Sequence, residues 1–249
     1  MPFTFSHPAL VIPFLHARTR YKWLSTTGLI VGSIAPDFEK FLRLKLASSH
    51  SHTLASVFYF SCPVSIALAF LFHLVVRRHL IAHLPAVLYR RFASFSRFDW
   101  TAHFRRHYVS VLLSIVMGAM LHLFWDSFTH PNTLMATLWP MLKEKVWIGS
   151  WSAPLFQIMG LVNSAAGAVA ILWAIWLMPV QPIHPPPTKA IVRYWALAVF
   201  VGLALEIEWV LVVQPRILNG GIAAISAGLI GIVVTSLYAR RRALLRQRS

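Results

Sequence analysis

The 249-residue chain is 57% hydrophobic and only 12% charged, with a mean hydropathy of +0.64. This composition excludes an ordinary soluble domain and indicates a multi-pass membrane protein. The net charge of +16 would favour nucleic acid as the partner of a soluble protein. Beside apolar spans it favours the anionic lipid surface instead, and we expect membrane lipids and no nucleic acid as partners.

Residues 1–53 form an N-terminal segment for which we predict interfacial or re-entrant helices. A helix is expected to begin at Pro8 with Ser6 as its cap. His7, taken alone, is best explained as a solvated histidine. The apolar stretch 23–36 is too short to span a bilayer unaided.

This segment ends with two groups of polar residues. Pro36 breaks the apolar stretch and places Asp37 and Glu39 at an exposed elbow, although helix capping alone would explain Asp37. His50 and His52 then come just ahead of the first span.

The rest of the chain predicts an all-α, polytopic membrane protein with about five transmembrane helices, and we treat residues 1–249 as a single integral membrane domain. The predicted spans are 54–76, 108–128, 151–178, 192–213 and 222–238. The arginine-rich loop 77–107 is predicted to form basic amphipathic helices at the membrane surface.

Five spans alternate sides, so the loop 77–107 and the C-terminus share one side of the membrane with the linker 179–191. That side carries the larger share of Lys and Arg, and the positive-inside rule therefore places it in the cytoplasm. The N-terminal segment and the end of the second span then lie on the outer side.

The strongest chemical signal lies in the second span, where His122, Asp126 and His130 follow one another at intervals of four. That spacing stacks the three side chains on one helix face. A carboxylate inside an apolar span costs at least ~2.5 kcal/mol unless it is paired, solvated or bound. Two imidazoles and a carboxylate make a half-site for a divalent cation; the alternative is that they form hydrogen bonds between helices.

The sequence also resembles an uncharacterised family of bacterial multi-pass membrane proteins over most of its length. The resemblance rests on four stretches: MPFTFSHP at the N-terminus, GSIAPDFE at residues 32–39, SHT at residues 51–53 and GAMLHLFWDSFTH at residues 118–130. That family is similar to the membrane-bound metal-dependent hydrolases of the bacterial inner membrane. The ligand order is also distantly similar to that of zinc-dependent phospholipase C and the single-strand nucleases.

The resemblance implies an inner-membrane location and a site with one or two divalent ions, zinc being the favoured metal. It implies metal-site roles for these residues: His7, Asp37, His52, His122 and Asp126. His130 would be an additional ligand or would support one. Two departures matter: Glu39 stands where the hydrolases have a second Asp, and Ser49-His50-Ser51 replaces their Arg-Gly before the loop histidine.

The leading hypothesis is a membrane-embedded, metal-dependent hydrolase acting on a phosphate ester. Lipid-linked and other phosphate esters are both open as substrates, and a lipid-linked phosphate would reach the site laterally. Asp37 would bridge two ions or act as general base, Glu39 is the other candidate base, and His50 is a candidate proton donor. The basic side chains of Lys40, Arg43 and Lys45 would hold the phosphate charge.

Two alternatives belong to other classes. A proton-coupled transporter would use Glu206 and Glu208 of the fourth span together with Asp126 and His122. A non-catalytic membrane protein would use the His/Asp residues as a structural metal site. The sequence does not determine the substrate or the oligomeric state.

Overall fold

The computed structural model describes residues 3–16, 23–46, 50–214 and 216–246. Arg18, Arg20 and Lys22 of the N-terminal segment and Arg248 of the C-terminus lie outside these ranges. The described chain is almost entirely helical. A 3-10 helix, Thr4–Val11, comes first, and ten longer or shorter helices and one hairpin follow: α1 Ile12–His16, α2 Thr26–Ile34, α3 Phe38–Arg43, α4 Val57–Ile81, α5 Ala86–Phe92, α6 Trp100–Asp126, α7 Leu134–Leu138, β1 Lys145–Ile148, β2 Trp151–Pro154, α8 Leu155–Trp176, α9 Thr188–Val213 and α10 Ile217–Arg246. Two stretches of α4 are π-helical, Val57–Ser61 and Phe72–Val76. Short 3-10 helices also lie at Ala35–Asp37, Ala93–Arg97 and Pro140–Lys143.

Five of these helices, α4, α6, α8, α9 and α10, are long and apolar enough to cross a membrane. The predicted all-α, five-span fold class is therefore confirmed, and the spans imply an integral membrane protein in contact with lipid. Both helices beside the basic loop are longer than predicted, because intrahelical hydrogen bonding continues past the apolar window. Within α6 the backbone leaves helical geometry at His107 (φ −131°, ψ 28°), one residue before the predicted start of the span.

The predicted start of the third span, at residue 151, is wrong by four residues. Trp151–Pro154 is a strand that pairs antiparallel with Lys145–Ile148, and α8 begins only at Leu155. An apolar run of this length does not distinguish strand from helix by its periodicity, and here pairing with the preceding strand decided the outcome.

The predicted cap at the N-terminus is also wrong. The 3-10 helix begins at Thr4, contains Pro8 and lets the Ser6 hydroxyl donate to the carbonyl oxygen of Ser164 in α8 (2.9 Å). A side chain at Gly167 would collide with Ser6, since an added Cβ would lie 2.8 Å from the Ser6 Cβ. This contact fixes the N-terminal segment against a membrane span.

Close helix packing positions the elbow at residue 37. Gly32 of α2 faces Ile115 of α6, and Gly118 of α6 faces Leu29, so closely that an added Cβ would lie 2.3 Å and 2.4 Å from the respective carbonyl oxygens. Small residues allow two backbones to approach in this way in a membrane protein. As a result, the C-terminal end of α2 lies directly against the second span.

Two compact units can be distinguished. The first comprises residues 1–37, 49–66 and 107–177, and the second comprises residues 38–48, 67–106 and 178–249. In the second unit α9 and α10 pack closely through Gly231, which faces the carbonyl oxygen of Ala198, and Tyr194 hydrogen bonds with Ser236 (2.8 Å). Our treatment of the chain as a single membrane domain stays a prediction.

Candidate metal centre

Four side chains of the first unit converge at the C-terminal end of α6. His122 and Asp126 lie one turn apart on α6, Asp37 ends the short 3-10 turn that follows α2, and His52 precedes α4. One ligand atom from each of the four lies within 4.8 Å of all the others. Asp37, His122 and Asp126 are buried, while the His52 side chain is 19% exposed. The cluster can hold a metal ion.

The spacing of the ligand atoms suits a tetrahedral ion. His52 Nε2 lies 3.3 Å from Asp37 Oδ1 and 3.4 Å from Asp126 Oδ2, and His122 Nε2 lies 3.6 Å and 3.5 Å from the same two oxygens. Nitrogen and oxygen ligands about 2.0–2.1 Å from a zinc ion at tetrahedral angles would be about 3.3–3.4 Å apart. The two distances from His52 match this spacing, and the two from His122 exceed it by about 0.1–0.2 Å, so a small divalent cation would draw the four atoms slightly together.

Among the described residues, three of the clustered atoms are buried and have no hydrogen-bond partner outside the cluster: His52 Nε2, His122 Nε2 and Asp126 Oδ2. Unsatisfied buried polar atoms are rare because each costs about 1–3 kcal/mol. Here all three point to one place, and the set of two imidazoles and two carboxylates matches the ligands that zinc accepts. The residues therefore fit a divalent cation.

Hydrogen bonds on the outer side of the rings orient both histidines. His122 Nδ1 lies 2.7 Å from the carbonyl oxygen of Ser33, which only accepts, so Nδ1 carries a proton and Nε2 is the ring nitrogen that faces the cluster. His52 Nδ1 lies 2.9 Å from the Ser51 hydroxyl. Ligating histidines in metalloproteins are held by this kind of second contact.

The N-terminal 3-10 helix supports the two carboxylates. The Thr4 hydroxyl donates to Asp37 Oδ2 (2.5 Å), and His7 Nε2 lies 3.2 Å from Asp126 Oδ1. The His7 ring also stacks on the His122 ring, with centroids 3.9 Å apart. Each carboxylate therefore directs one oxygen into the cluster, while its second oxygen is hydrogen bonded to a residue of the N-terminal 3-10 helix. His7 supports a ligand in this arrangement and is not one of the four clustered residues, so its predicted role as a ligand stays a prediction.

The charge state of His52 follows from its surroundings. Burial by itself would lower the pKa of His52, but hydrogen bonding to Asp126 and to Asp37 and the Asp37 charge outweigh it, so the pKa is raised above its ordinary value of 6.5. A proton therefore competes with a metal ion for Nε2.

The other predicted residues lie outside the group of four. His130 is 25% exposed, and its Nδ1 lies 3.8 Å from Asp126 Oδ2 and 3.0 Å from the Asp126 carbonyl oxygen. His50 is exposed, and its carbonyl oxygen accepts a hydrogen bond from Tyr59. Glu39 belongs to the second unit, where it is buried and paired with Arg43 (2.7 Å). Their proposed chemical roles stay predictions.

Sequence reasoning missed Thr4 and Ser33. Thr4 lies three residues before His7, a spacing that places both on one face of a 3-10 helix, so the pattern was available in the sequence. The contribution of Ser33 is a backbone carbonyl, for which the sequence carries no signal.

Comparison with known proteins identifies a family without a known activity. The family described as "Domain of unknown function (DUF4184)" matches residues 1–237, a range that contains all the candidate site residues. No curated protein and no solved structure matches the chain. The resemblance to an uncharacterised family is confirmed, whereas the further likeness to metal-dependent hydrolases and to phospholipase C stays a prediction.

Proposed function

Because the chain belongs to the DUF4184 family, whose description specifies no activity, we propose a function from the chemistry of its site: a membrane-embedded, metal-dependent hydrolase of phosphate esters. The observation that carries this proposal is the convergence of buried ligand atoms of His52, His122 and Asp126 on Asp37, with no hydrogen-bond partner for these atoms outside the cluster in the described part of the chain. Such a site is costly to maintain in an apolar protein unless a cation occupies it.

In this proposal Asp37, His52, His122 and Asp126 hold one divalent ion, with zinc as the favoured metal. A bound divalent ion supplies Lewis acidity, which activates water and neutralises charge on phosphoryl oxygens. Thr4 and His7 keep the two carboxylates oriented through their outer oxygens. Both oxygens of Asp37 are then engaged, one by the ion and one by the Thr4 hydroxyl.

The half-buried side of the cluster indicates how a substrate would enter. The residues around the site are Asp37, His52, His122, Asp126 and His130. His52 and His130 are the most exposed of these five. His52 lies just before α4 and His130 just after α6. We infer that a phosphate group approaches past these two side chains, with His130 as a proton donor to the leaving group. A lipid-linked phosphate is the substrate class that reaches this depth by lateral diffusion.

The test is hydrolysis by protein purified in nanodiscs and loaded with zinc or manganese. Aryl phosphate monoesters and diesters, and vesicles containing a phosphatidic or prenyl phosphate, would be offered in parallel. We expect release of phosphate or headgroup that is lost with a chelator, lost in Asp126→Ala and retained in Glu206→Gln. Metal-loaded protein with no turnover above that of Asp126→Ala on any of these substrates would contradict the proposal.

A structural metal site is the second candidate, because four protein ligands already complete a tetrahedron. Cobalt substitution separates the two functions. An open coordination position predicts that the visible spectrum of the cobalt protein shifts when phosphate or a hydroxamate is added. A spectrum that does not respond to either anion would favour the structural role.

A further inference from the structure

The loop between α6 and α8 presents apolar side chains that nothing in the described chain covers. In α7 and the segment after it, Leu134, Leu138 and Met141 are exposed, and so are Trp139, Trp147 and Trp151. We refer to residues 134–151 as the collar. All of it belongs to the first unit, and it joins the end of one span to the start of another.

The hairpin part of the collar is apolar on both faces. Successive residues of a strand point to opposite faces, yet Val146, Trp147 and Ile148 are all exposed, Trp147 at 69%. A single two-stranded hairpin is at best marginally stable in water. Exposed apolar groups on both faces therefore argue against an aqueous environment.

The backbone of the same hairpin argues against the hydrocarbon core. Within the residues that the structure describes, the sheet has two strands, so each strand has an outer edge without a neighbouring strand there. Open sheet edges do not occur in contact with lipid tails, because their N–H and C=O groups would lack partners. Lys143, Glu144 and Lys145 add three charged side chains just before and at the start of β1. The headgroup layer is the environment that accepts both the indole rings and these polar groups.

Contacts within the first unit hold the collar against the C-terminal end of α6 and the N-terminal end of α8. The Leu155 N–H, at the start of α8, donates to the Glu144 carbonyl oxygen (2.9 Å). The Trp139 ring packs on Phe128, two residues beyond Asp126, with centroids 5.8 Å apart. The collar therefore joins α6 to α8, and its Trp139 contacts the chain two residues beyond Asp126 of the candidate metal centre.

We propose that the collar inserts into the lipid headgroup layer, with Trp147 and Trp151 as interfacial anchors and Lys143 and Lys145 at the level of the lipid phosphates. Insertion itself requires neither metal nor catalysis. If the proposed hydrolase function also holds, the collar places the open side of the site, at His52 and His130, within the headgroup layer. Its substrate would then be a membrane-resident phosphate and not one dissolved in water.

The experiment measures the depth of single labelled cysteines in phosphatidylcholine–phosphatidylglycerol vesicles. Cys62 is the one cysteine, so Cys62→Ser gives a background in which Trp147→Cys carries an environment-sensitive fluorophore. Two matched positions calibrate the depth: Val169→Cys, exposed in the middle of α8, and His184→Cys, exposed in the proline-rich linker. Quenchers are iodide, supplied in the water on both sides of the membrane because residues 147 and 184 are predicted to lie on opposite sides, and doxyl groups at carbon 5 or carbon 12 of the lipid chain.

We expect the label at residue 147 to be quenched more by the carbon-5 doxyl lipid than by the carbon-12 lipid, with at least a several-fold protection from iodide relative to residue 184. The label at residue 169 should show the opposite preference between the two lipids. Residue 147 behaving like residue 184 would place the collar in water and overturn the proposal. Behaviour like residue 169 would overturn it by placing the hairpin in the core, and protection from all quenchers would overturn it in favour of a protein partner.

Ile148→Cys, on the opposite face of β1, repeats the measurement if Trp147→Cys does not reconstitute. Both labels should report the same depth, because the headgroup layer surrounds the whole hairpin. Since the readout does not depend on metal or turnover, failure of insertion and failure of the hydrolase proposal are distinguishable.

Discussion

Asp126 and Glu206 are both acidic residues within membrane spans, but the side chains around their carboxylates differ. Asp126 faces three imidazoles, from His7, His52 and His122. Glu206 is half-buried beside Gly220, and its Oε2 has no hydrogen-bond partner among the described residues. The difference is supplied by chain outside the spans, since His7 and His52 both lie in the N-terminal segment. An acid in a span is therefore a weak indicator of a metal site until other segments bring ligands to it.

The comparison is tested most directly by metal content. Asp126→Ala removes a central ligand, and we expect bound metal in the purified protein to fall to background because His52 and His122 lose their shared oxygen. Glu206→Gln should retain the wild-type amount. Elemental analysis of both variants provides the measurement, and Asp126→Asn keeps the side-chain volume should the alanine variant not fold. Full metal occupancy in either Asp126 variant would remove that residue from the site.

Helix packing provides the second test, because both units contain close glycine contacts. Gly32→Ala would place a Cβ 2.3 Å from the Ile115 carbonyl oxygen, whereas Gly202→Ala would place one 3.4 Å from that of Ala227. We expect Gly32→Ala to cost about 1–3 kcal/mol by overpacking and to lower metal content, since it displaces Asp37. Gly202→Ala should change the thermal midpoint in detergent by much less. Equal midpoints for the two variants would contradict the packing described for α2 and α6.

The supporting contacts provide the third test. Thr4→Val keeps the shape of the side chain but removes the donor to Asp37 Oδ2, and loss of such a contact typically weakens metal binding about 10–100-fold. Competition with a coloured chelator measures the change, and Thr4→Ser should restore most of the affinity. Unchanged affinity in Thr4→Val would show that the N-terminal helix is not needed to hold Asp37.

The smallest expected effect is the dependence on pH. The carboxylates raise the pKa of His52 above 6.5, so the metal-free site keeps a proton on His52 to higher pH than an ordinary histidine would. Metal binding must release this proton. Apparent metal affinity should therefore decrease as the pH falls through the raised pKa. Titration calorimetry in buffers of different ionisation enthalpy counts the released protons, and binding without proton release would contradict the prediction.

Hydropathy and residue spacing alone were enough for the membrane class, the number of spans and the pairing of His122 with Asp126 on one helix face. These features depend on composition and on the 3.6-residue period of the helix, which are local properties of the chain. The family resemblance added His7, Asp37 and His52 before any contact was known. The residues of the hairpin were predicted from the sequence to lie partly in a loop and partly in the third span, because a short apolar run fits either a strand or a helix.

Only the tertiary structure decided which residues meet. The close contact of Gly32 with Ile115 and of Gly118 with Leu29 brings Asp37 and the Ser33 carbonyl to His122, and it depends on two backbones approaching across about 80 residues of sequence. A separate contact, that of Ser6 with Ser164 and Gly167 of α8, holds the N-terminal 3-10 helix that carries Thr4 and His7. Such contacts depend on the shapes of two surfaces fitting together, and no local periodicity encodes that fit.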